Sequence, residues 1–166
     1  MKSNARNTRK KYNPRYSFEN DYFSVWVLLD YTKFAISKVR DAELAKIGLT
    51  PQQAAVIRII LRRKKATITE ISRTWMRRPH SISTIIDRMA RQGLVKKIKH
   101  PGNRELEIEV TEKGEKLYHS IKIESLEAVF SSLSKDDIQK LSQYLKLLLI
   151  RACAISGDNY DFPFLL

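Results

Sequence analysis

The sequence has 166 residues, a formal net charge of +13 and a single cysteine, Cys153. Its length suits one domain with or without an appendage, and one cysteine excludes an intrachain disulfide or a cysteine zinc site, so a reducing compartment is expected. No apolar run reaches the roughly 18 residues of a membrane span, and no apolar signal core follows the basic N-terminus. We therefore expect a soluble cytoplasmic protein with no membrane partner.

The positive charge is concentrated in two segments. Residues 1–15 contain six Lys or Arg and no acid, while residues 62–104 contain thirteen against two acids, a local net charge of +11. A surface that binds a polyanion requires such a block, because each Lys or Arg that meets a phosphate releases condensed counterions. The alternative is a solvated basic surface that aids solubility.

The N-terminal part combines an arm and a helix. Residues 1–16 are polar, basic and aperiodic, which predicts a flexible arm. From Phe18 to Lys46 the pattern is helical, with an apolar face wider than one small domain usually covers, and Gly48 ends the helix.

Two N-cap signals open the next two helices. Thr50 precedes Pro51 and is answered by Gln53, which is a capping box with proline at the first helical position. Thr67 and Glu70 repeat this signal. The apolar residues expected to face inward on these helices are Val56, Ile57, Ile60, Leu61, Ile68, Ile71 and Trp75.

A fourth helix and a hairpin follow. Arg77 and Arg78 form a short break, Pro79 begins a helix, and Gly93 ends it, with Ile82, Ile85, Ile86 and Met89 inward. Two short helices joined by a tight turn form a helix-turn-helix. After Gly93 the apolar period becomes two, around the turn "HPGN", which predicts a β-hairpin with Leu106, Ile108 and Val110 on its apolar face.

The C-terminal part is predicted to be helical. Thr111 caps a helix over about 112–131, and Ser134 with Asp137 starts another that has a broad apolar face. The fold class is therefore mainly α with a small β-wing, a winged helix-turn-helix with long N- and C-terminal helices. The chain ends in "DNYDFPFLL", which is unusually apolar for a terminus.

The helix that begins at Pro79 is the candidate nucleic-acid surface. Small hydroxyl residues near its start allow close approach to phosphates or base edges, and Arg88 can reach a guanine. In the wing, Arg104 can enter a minor groove or meet a phosphate. The alternatives are an ordinary solvated helix face and, for His100 and Asn103, simple turn formation. The residues predicted to contact DNA are Thr67, Arg77, Arg78, Pro79, His80, Ser81, Ser83, Thr84, Arg88, Lys97, Lys99, His100, Asn103 and Arg104.

The order of these elements resembles the MarR (multiple antibiotic resistance regulator) family of transcription factors. The resemblance covers roughly residues 20–153, and its specific pieces are Gly48-Leu49-Thr50 with Gln53, the run from Ser81 to Val95, and Thr111 through Gly114. Family wings usually carry an Asp and then an Asp-Arg-Arg run, whereas this sequence has His100 and Asn103-Arg104-Glu105 at those positions.

The resemblance implies a homodimeric, sequence-specific regulator, expected to be a repressor that binds a pseudo-palindromic operator in double-stranded DNA. It divides the chain into the arm (1–16), an N-terminal dimerisation helix (17–48), a winged helix-turn-helix (49–111), and C-terminal dimerisation helices with an apolar tail (112–166). We expect this tail to pack on the dimer interface or on the partner subunit, because it would otherwise be an adhesive patch.

The resemblance also implies release by a small aromatic or lipophilic ligand held between the dimerisation helices and the DNA-binding lobe. Its candidate residues are Tyr22, Trp26, Tyr31, Tyr118 and His119, with core or interface aromatics as the alternative. Oxidant-sensing members of the family use a cysteine near the N-terminal helix, so that mechanism does not transfer to Cys153 in the last helix.

Two other function classes fit the sequence less well. A winged-helix module that docks on protein or RNA within a larger assembly remains the alternative. We do not expect an enzyme, a cofactor or a metal site, because the sequence has no glycine-rich phosphate loop or metal-ligand cluster and its three histidines lie in separate elements.

Overall fold

The computed structural model describes residues 19–102, 105–158 and 160–162, which fall into two compact units with their boundary between Lys38 and Val39. Helix α1 (Asp21–Ala45) crosses that boundary and is the long first helix that the sequence predicted. Its start is fixed by Asn20, whose Oδ1 accepts a hydrogen bond from the Phe23 amide at 3.0 Å. Within the described residues, no helix has the length and apolar character needed to cross a membrane.

Both predicted capping boxes are confirmed, at helices α2 (Pro51–Arg63) and α3 (Ile68–Trp75). Thr50 Oγ1 accepts from the Gln53 amide at 3.2 Å, and the Gln53 side chain accepts from the Thr50 amide at 3.0 Å. The corresponding distances at Thr67 and Glu70 are 3.2 and 2.7 Å. Each box satisfies two amides that a helix start leaves without a partner, so four residues are enough to set the position of each helix.

The turn between α3 and helix α4 (Pro79–Arg91) is tight and left-handed at its first residue. Met76 has φ +54°, and the Ser72 hydroxyl donates a hydrogen bond to the carbonyl of Arg77. At the other end of α4 the chain reverses at Gly93, which has φ +70°. Only glycine takes that conformation without strain, so Gly93 is the corner between helix and wing.

The predicted hairpin is confirmed as strands β2 (Val95–Ile98) and β3 (Glu107–Val110), and a third strand joins it. Strand β1 (Ala66–Thr67) pairs antiparallel with β3, Ala66 lying opposite Ile108, so the sheet order is β1-β3-β2. The sequence did not predict β1, because two residues show no alternation.

One hydrophobic core joins α2, α3, α4 and the sheet. The side chains that are 0% exposed are Val56, Ile57, Ile60, Ile71, Ile82, Ile86, Met89 and Ile108. All were predicted to face inward, while Leu61, Ile68, Trp75 and Ile85 are only partly buried against this cluster. Ile59, which was not predicted to face inward, is 5% exposed.

The prediction of one helix over 112–131 is wrong, because residues 121–123 break it. Ile121 packs against the core, the guanidinium of Arg40 donates to the carbonyl of Lys122, and a carboxylate oxygen of Glu43 accepts from the Ser125 amide at 3.2 Å. These distant partners stabilise an interruption that the local pattern does not show. The resulting helices are α5 (Glu112–His119) and α6 (Glu124–Phe130).

The last helix, α7 (Lys135–Ser156), begins as predicted at Ser134, whose hydroxyl accepts from the Asp137 amide at 3.1 Å. None of its residues is buried within the chain. Several of its large apolar side chains are instead exposed, among them Leu147 at 65% and Ile155 at 72%. The apolar face that the sequence predicted for this helix is therefore largely open to solvent, whereas Ile138, Leu141 and Leu149 are half-buried.

Candidate nucleic-acid interface

Helix α4 buries Ile82 and Ile86 and turns most of its polar residues outward. Pro79, His80, Ser81, Thr84 and Arg88 are exposed. Ser83 is half-buried, and the Thr84 hydroxyl donates back to the carbonyl of His80 at 3.1 Å, which leaves its oxygen able to accept a hydrogen bond. This face offers small donors and acceptors with one arginine, as the sequence predicted for a surface that approaches DNA closely.

The start of α4 has no side-chain cap, since its N-cap residue is Arg78. Pro79 lacks an amide hydrogen, and the Ile82 amide is the one that bonds the Arg78 carbonyl, at 3.3 Å. The first-turn amides of His80 and Ser81 therefore point out of the helix end, where the helix dipole favours an anion. Arg77 and Arg78 are exposed beside this end, and the Arg77 guanidinium lies 5.5 Å from the Trp75 ring centroid.

The wing packs with α4 in the shared hydrophobic core and is also joined to it by an ion pair. Lys97 of β2 binds the carboxylate of Asp87 on α4. This contact brings Lys97, a predicted DNA-binding residue of the wing, next to the predicted recognition helix. The carboxylate of Asp87 also partly neutralises the positive charge of Lys97. Lys99 is exposed, and Asn103 and Arg104 lie outside the described residues.

Glu107 holds the wing on the rest of the fold. One of its carboxylate oxygens lies 2.8 Å from His100 Nε2 and 2.8 Å from Lys65 Nζ. The hydrogen bond from Lys65 is the largest cause that lowers the pKa of Glu107, and Glu107 in turn raises the pKa of Lys65. The His100 side chain is therefore engaged with a carboxylate on its own hairpin.

Sequence reasoning missed this cluster. The alternation correctly put Glu105 and Glu107 on the polar side of the hairpin, and Glu105 accepts from the Thr69 hydroxyl at 2.6 Å. The Lys65 contact, however, depends on the pairing of β1 with β3, which carries no signal in the sequence. Glu107 provides an acidic support for the wing at a position different from the family's usual ones.

Thr67 has a structural role that accounts for its presence. It is half-buried, pairs with Glu107 across the sheet, and uses its hydroxyl to cap α3. Its contact with DNA stays a prediction.

Two of the predicted ligand-binding aromatic residues lie side by side in the second compact unit. Tyr118 and His119 have ring centroids 5.9 Å apart and line a cavity of 520 Å³ with Arg40, Arg58 and Ile121. Tyr22, Trp26 and Tyr31 belong to the other compact unit, where they are 89%, 63% and 70% exposed on α1. Within the described ranges, no group of three or more His, Cys, Asp or Glu could hold a metal ion.

The described part of the C-terminal tail, residues 160–162, contacts its own chain. Asp161 forms an ion pair with Arg63 of α2, and the rings of Tyr160 and Phe162 have centroids 6.0 Å apart. The expectation that the tail packs on a dimer interface stays untested, and residues 163–166 lie outside the described part.

Comparison with known proteins places this lobe in context. Residues 47–104 match the sequence model of the MarR family. No curated protein matches the chain. The matched segment spans α2 to the wing, which is the region that carries the candidate interface.

Solved structures share the fold over most of the chain. The organohalide-sensing RdhR regulator bound to 2,4-dichlorophenol has a TM-score of 0.80 at 21% identity, covering 95% of this chain and 96% of that one. A mutant MarR from E. coli in complex with operator DNA has a TM-score of 0.74 at 17% identity, covering 80% and 99%. MepR of S. aureus with DNA has a TM-score of 0.69 at 17% identity, covering 76% and 96%. At these identities the likeness shows the fold.

Proposed function

We propose that this chain, whose residues 47–104 match the model of the MarR family, is a DNA-binding transcriptional regulator. It acts as a homodimeric repressor that binds a pseudo-palindromic operator and is released by a small aromatic or lipophilic ligand. In this proposal residues 49–111 read DNA, while 17–48 and 112–166 dimerise. The observation that carries it is the exposed hydroxyl- and arginine-bearing face of α4, with an uncapped helix start, next to a basic wing.

Different residues of this surface suit different kinds of contact with DNA. The first-turn amides of α4 and the neighbouring Arg77 and Arg78 suit backbone phosphates, which fix position. Arg88 lies further along the same helix, where a side chain in the major groove meets base edges. Arg104 of the wing is assigned to the adjacent minor groove or its phosphates.

Exposed apolar residues on the long helices support a dimer. On α7, Leu147, Leu148 and Ile150 are more than half exposed, and a monomer rarely presents so large a contiguous apolar surface to water. A two-fold dimer of winged helices places two recognition helices about one turn of DNA apart, which matches a pseudo-palindrome.

The cavity at Tyr118 and His119 is the proposed effector site. It combines two aromatic side chains with the guanidinium groups of Arg40 and Arg58, a lining that suits a small aromatic molecule with negative charge. The 2,4-dichlorophenol-bound RdhR structure, which shares this fold, is a precedent for a small aromatic ligand.

The test is DNA-binding anisotropy with duplexes from the region upstream of the protein's own gene and with random duplex, over a range of salt. Arg88→Ala should weaken specific binding by about 1–3 kcal/mol and relax sequence preference, whereas Arg104→Ala should lower the salt slope by about 1 if it contacts phosphate. Lys116→Ala is the matched control, because it removes the same charge from the exposed surface of α5.

A dimer that shows no preference for any duplex over random DNA would overturn the proposal. A monomer that binds structured RNA more tightly than DNA would favour a docking module instead. A transcription assay on the same upstream region, with and without the protein, distinguishes repression from activation.

A further inference from the structure

The chain after α7 folds back onto the lobe that contains α2, α3 and α4. Gly157 ends the helix with φ +72°, and Asp161, four residues later, forms an ion pair with Arg63 at the end of α2. Tyr160 and Phe162 are half-buried. The described part of the C-terminal segment, residues 157–166, is therefore held on the lobe.

A cavity of 690 Å³ lies directly beside this segment and is separate from the proposed effector site. Asp161 and Phe162 line one side of it, while the C-terminal half of α2, the end of α3 and α7 line the others. Ile59 of α2 and Trp75 of α3 give these other sides an apolar character. An apolar space at the point where the described segment ends provides room for the residues that follow.

The next four residues of the sequence, Pro163-Phe164-Leu165-Leu166, lie outside the described part. Proline disfavours helical backbone at the residue before it, so the chain is expected to leave Phe162 in an extended conformation. Four extended residues reach roughly 13 Å, which exceeds the width of a space of 690 Å³, about 11 Å if it were spherical. The segment is therefore long enough to enter the cavity.

The segment also matches the cavity in charge and in apolar character. Residues 157–166 contain two acids and no Lys or Arg, whereas α2 contributes three arginines, Arg63 among them, to the cavity wall. Asp161 already pairs with Arg63, which fixes where the segment approaches the wall. The three apolar residues after Pro163 would form an adhesive patch if they were exposed to water, and the cavity offers them apolar neighbours.

We propose that Phe164, Leu165 and Leu166 dock into this cavity of their own chain, so that the C-terminal segment acts as a strap that joins α7 to the DNA-binding lobe. No residue of α7 is buried within the chain, so the strap adds a connection that the helix itself provides only weakly. The cavity wall includes Thr74 and Met76, which lie directly before the start of α4. A docked strap therefore restrains α4 relative to α7. The consequence for DNA binding rests on the proposed function, whereas docking does not.

Disulfide trapping in the full-length protein tests the docking directly. In a Cys153→Ser background, Met76→Cys on the cavity wall is combined in turn with Phe164→Cys, Leu165→Cys or Leu166→Cys, and oxidised glutathione is added. Because a disulfide requires Cα atoms about 4.4–6.8 Å apart, we expect at least one pair to form an intrachain bond in more than about half of the protein.

Non-reducing electrophoresis separates the outcomes. An intrachain disulfide supports the strap. An interchain disulfide overturns it and favours the expectation from the sequence that the tail packs on the partner subunit. The matched control replaces Met76→Cys with Lys116→Cys, which is exposed on α5 and is not part of the cavity lining. Trapping no more frequent than in this control also overturns the strap.

A second measurement leaves Met76 in place. The sequence has two tryptophans, so in a Trp26→Phe background acrylamide quenching of Trp75 reports access to the cavity. Phe164→Gln combined with Leu165→Gln removes the apolar side chains and should increase quenching about twofold or more, whereas Phe164→Leu should be quenched like the wild type. Equal quenching of the double variant and the wild type would overturn the strap.

The consequence for DNA binding is measured separately. The double variant should bind the operator about threefold or more weakly than the wild type, because a strap that preorganises the lobe lowers the cost of ordering it on DNA. Unchanged operator affinity together with a trapped intrachain disulfide overturns the restraint and retains the docking. A trapped disulfide in a protein without specific DNA binding overturns the proposed function and again retains the docking.

Discussion

Gly114→Ala should destabilise the protein, although glycine-to-alanine changes inside helices usually stabilise. Gly114 lies in the first turn of α5 and is buried, and its amide donates to the capping hydroxyl of Thr111 at 3.1 Å. A Cβ at this position would lie far inside contact distance of the Leu94 carbonyl oxygen, 3.1 Å from its carbon and 2.9 Å from Val110 Cγ1. Since the obstacle is backbone, a rotamer change cannot relieve it.

The expected change in the free energy of unfolding combines one favourable term with two unfavourable ones. Alanine gains about 1 kcal/mol of helix propensity over glycine. Overpacking against a fixed neighbour costs about 1–3 kcal/mol. Moving α5 away also breaks the hydrogen bond from the Thr111 amide to the Leu94 carbonyl, 3.0 Å long, at about 1 kcal/mol. The net expectation is a loss of about 1–3 kcal/mol, a decrease in Tm of roughly 2–12 °C.

Thermal and urea unfolding at one fixed protein concentration measure this loss, because the Tm of the proposed dimer depends on concentration. Gly93→Ala tests backbone strain without a steric clash. A Cβ at this position would meet no atom within 4 Å, but the backbone has φ +70°, so we expect strain alone to lower the free energy of unfolding by about 1–2 kcal/mol. Lys116→Ala, exposed on the same helix, should change stability by less than about 0.5 kcal/mol. A Gly114→Ala protein as stable as the wild type would refute the argument.

Thr50→Ala should lower the free energy of unfolding, measured in urea, by about 1 kcal/mol, because it removes the hydroxyl that accepts from the Gln53 amide of α2. Thr50→Ser keeps the hydroxyl and should leave the free energy of unfolding unchanged. Equal losses in the two variants would contradict this. Glu107 has a pKa below its ordinary value of 4.5, so its stabilisation is present above that pH and is lost as pH falls through the lowered value. Glu107→Gln should therefore be less stable than wild type at pH 7, and a gap that stays constant down to about pH 3 would show that the charge is irrelevant. Leu148→Glu, at an exposed apolar position on α7, should yield monomers by sedimentation, and a dimer of unchanged affinity would exclude this face from the interface.

Features that depend only on neighbouring residues could be predicted from the sequence. Thr50 with Gln53 and Thr67 with Glu70 each act within four residues, so the pattern alone located two helix starts. The inward isoleucines of α4 follow from helical periodicity, and so did the outward hydroxyl face that makes this helix the candidate DNA reader.

Features that depend on distant partners were not predictable. The break after α5 is stabilised by Arg40 and Glu43, which precede it by about eighty residues. Strand β1 exists because Ala66 meets Ile108, and the support of the wing by Lys65 follows from that pairing. The ion pair between Asp161 and Arg63 required the chain to return to α2 after α7, for which the sequence offered only an unexplained apolar end.

The turn at Gly93 fixes the position of the wing relative to α4. Leu94 and Val95, directly after the corner, are buried in the same core as Ile86 and Met89 of α4, so helix and wing share one foundation. The shared core therefore fixes the distance between α4 and the wing. Under the proposed function, insertions or deletions within a half-site should abolish recognition, whereas changes in the spacing between half-sites would be absorbed by the segments that link the two DNA-binding lobes of the proposed dimer.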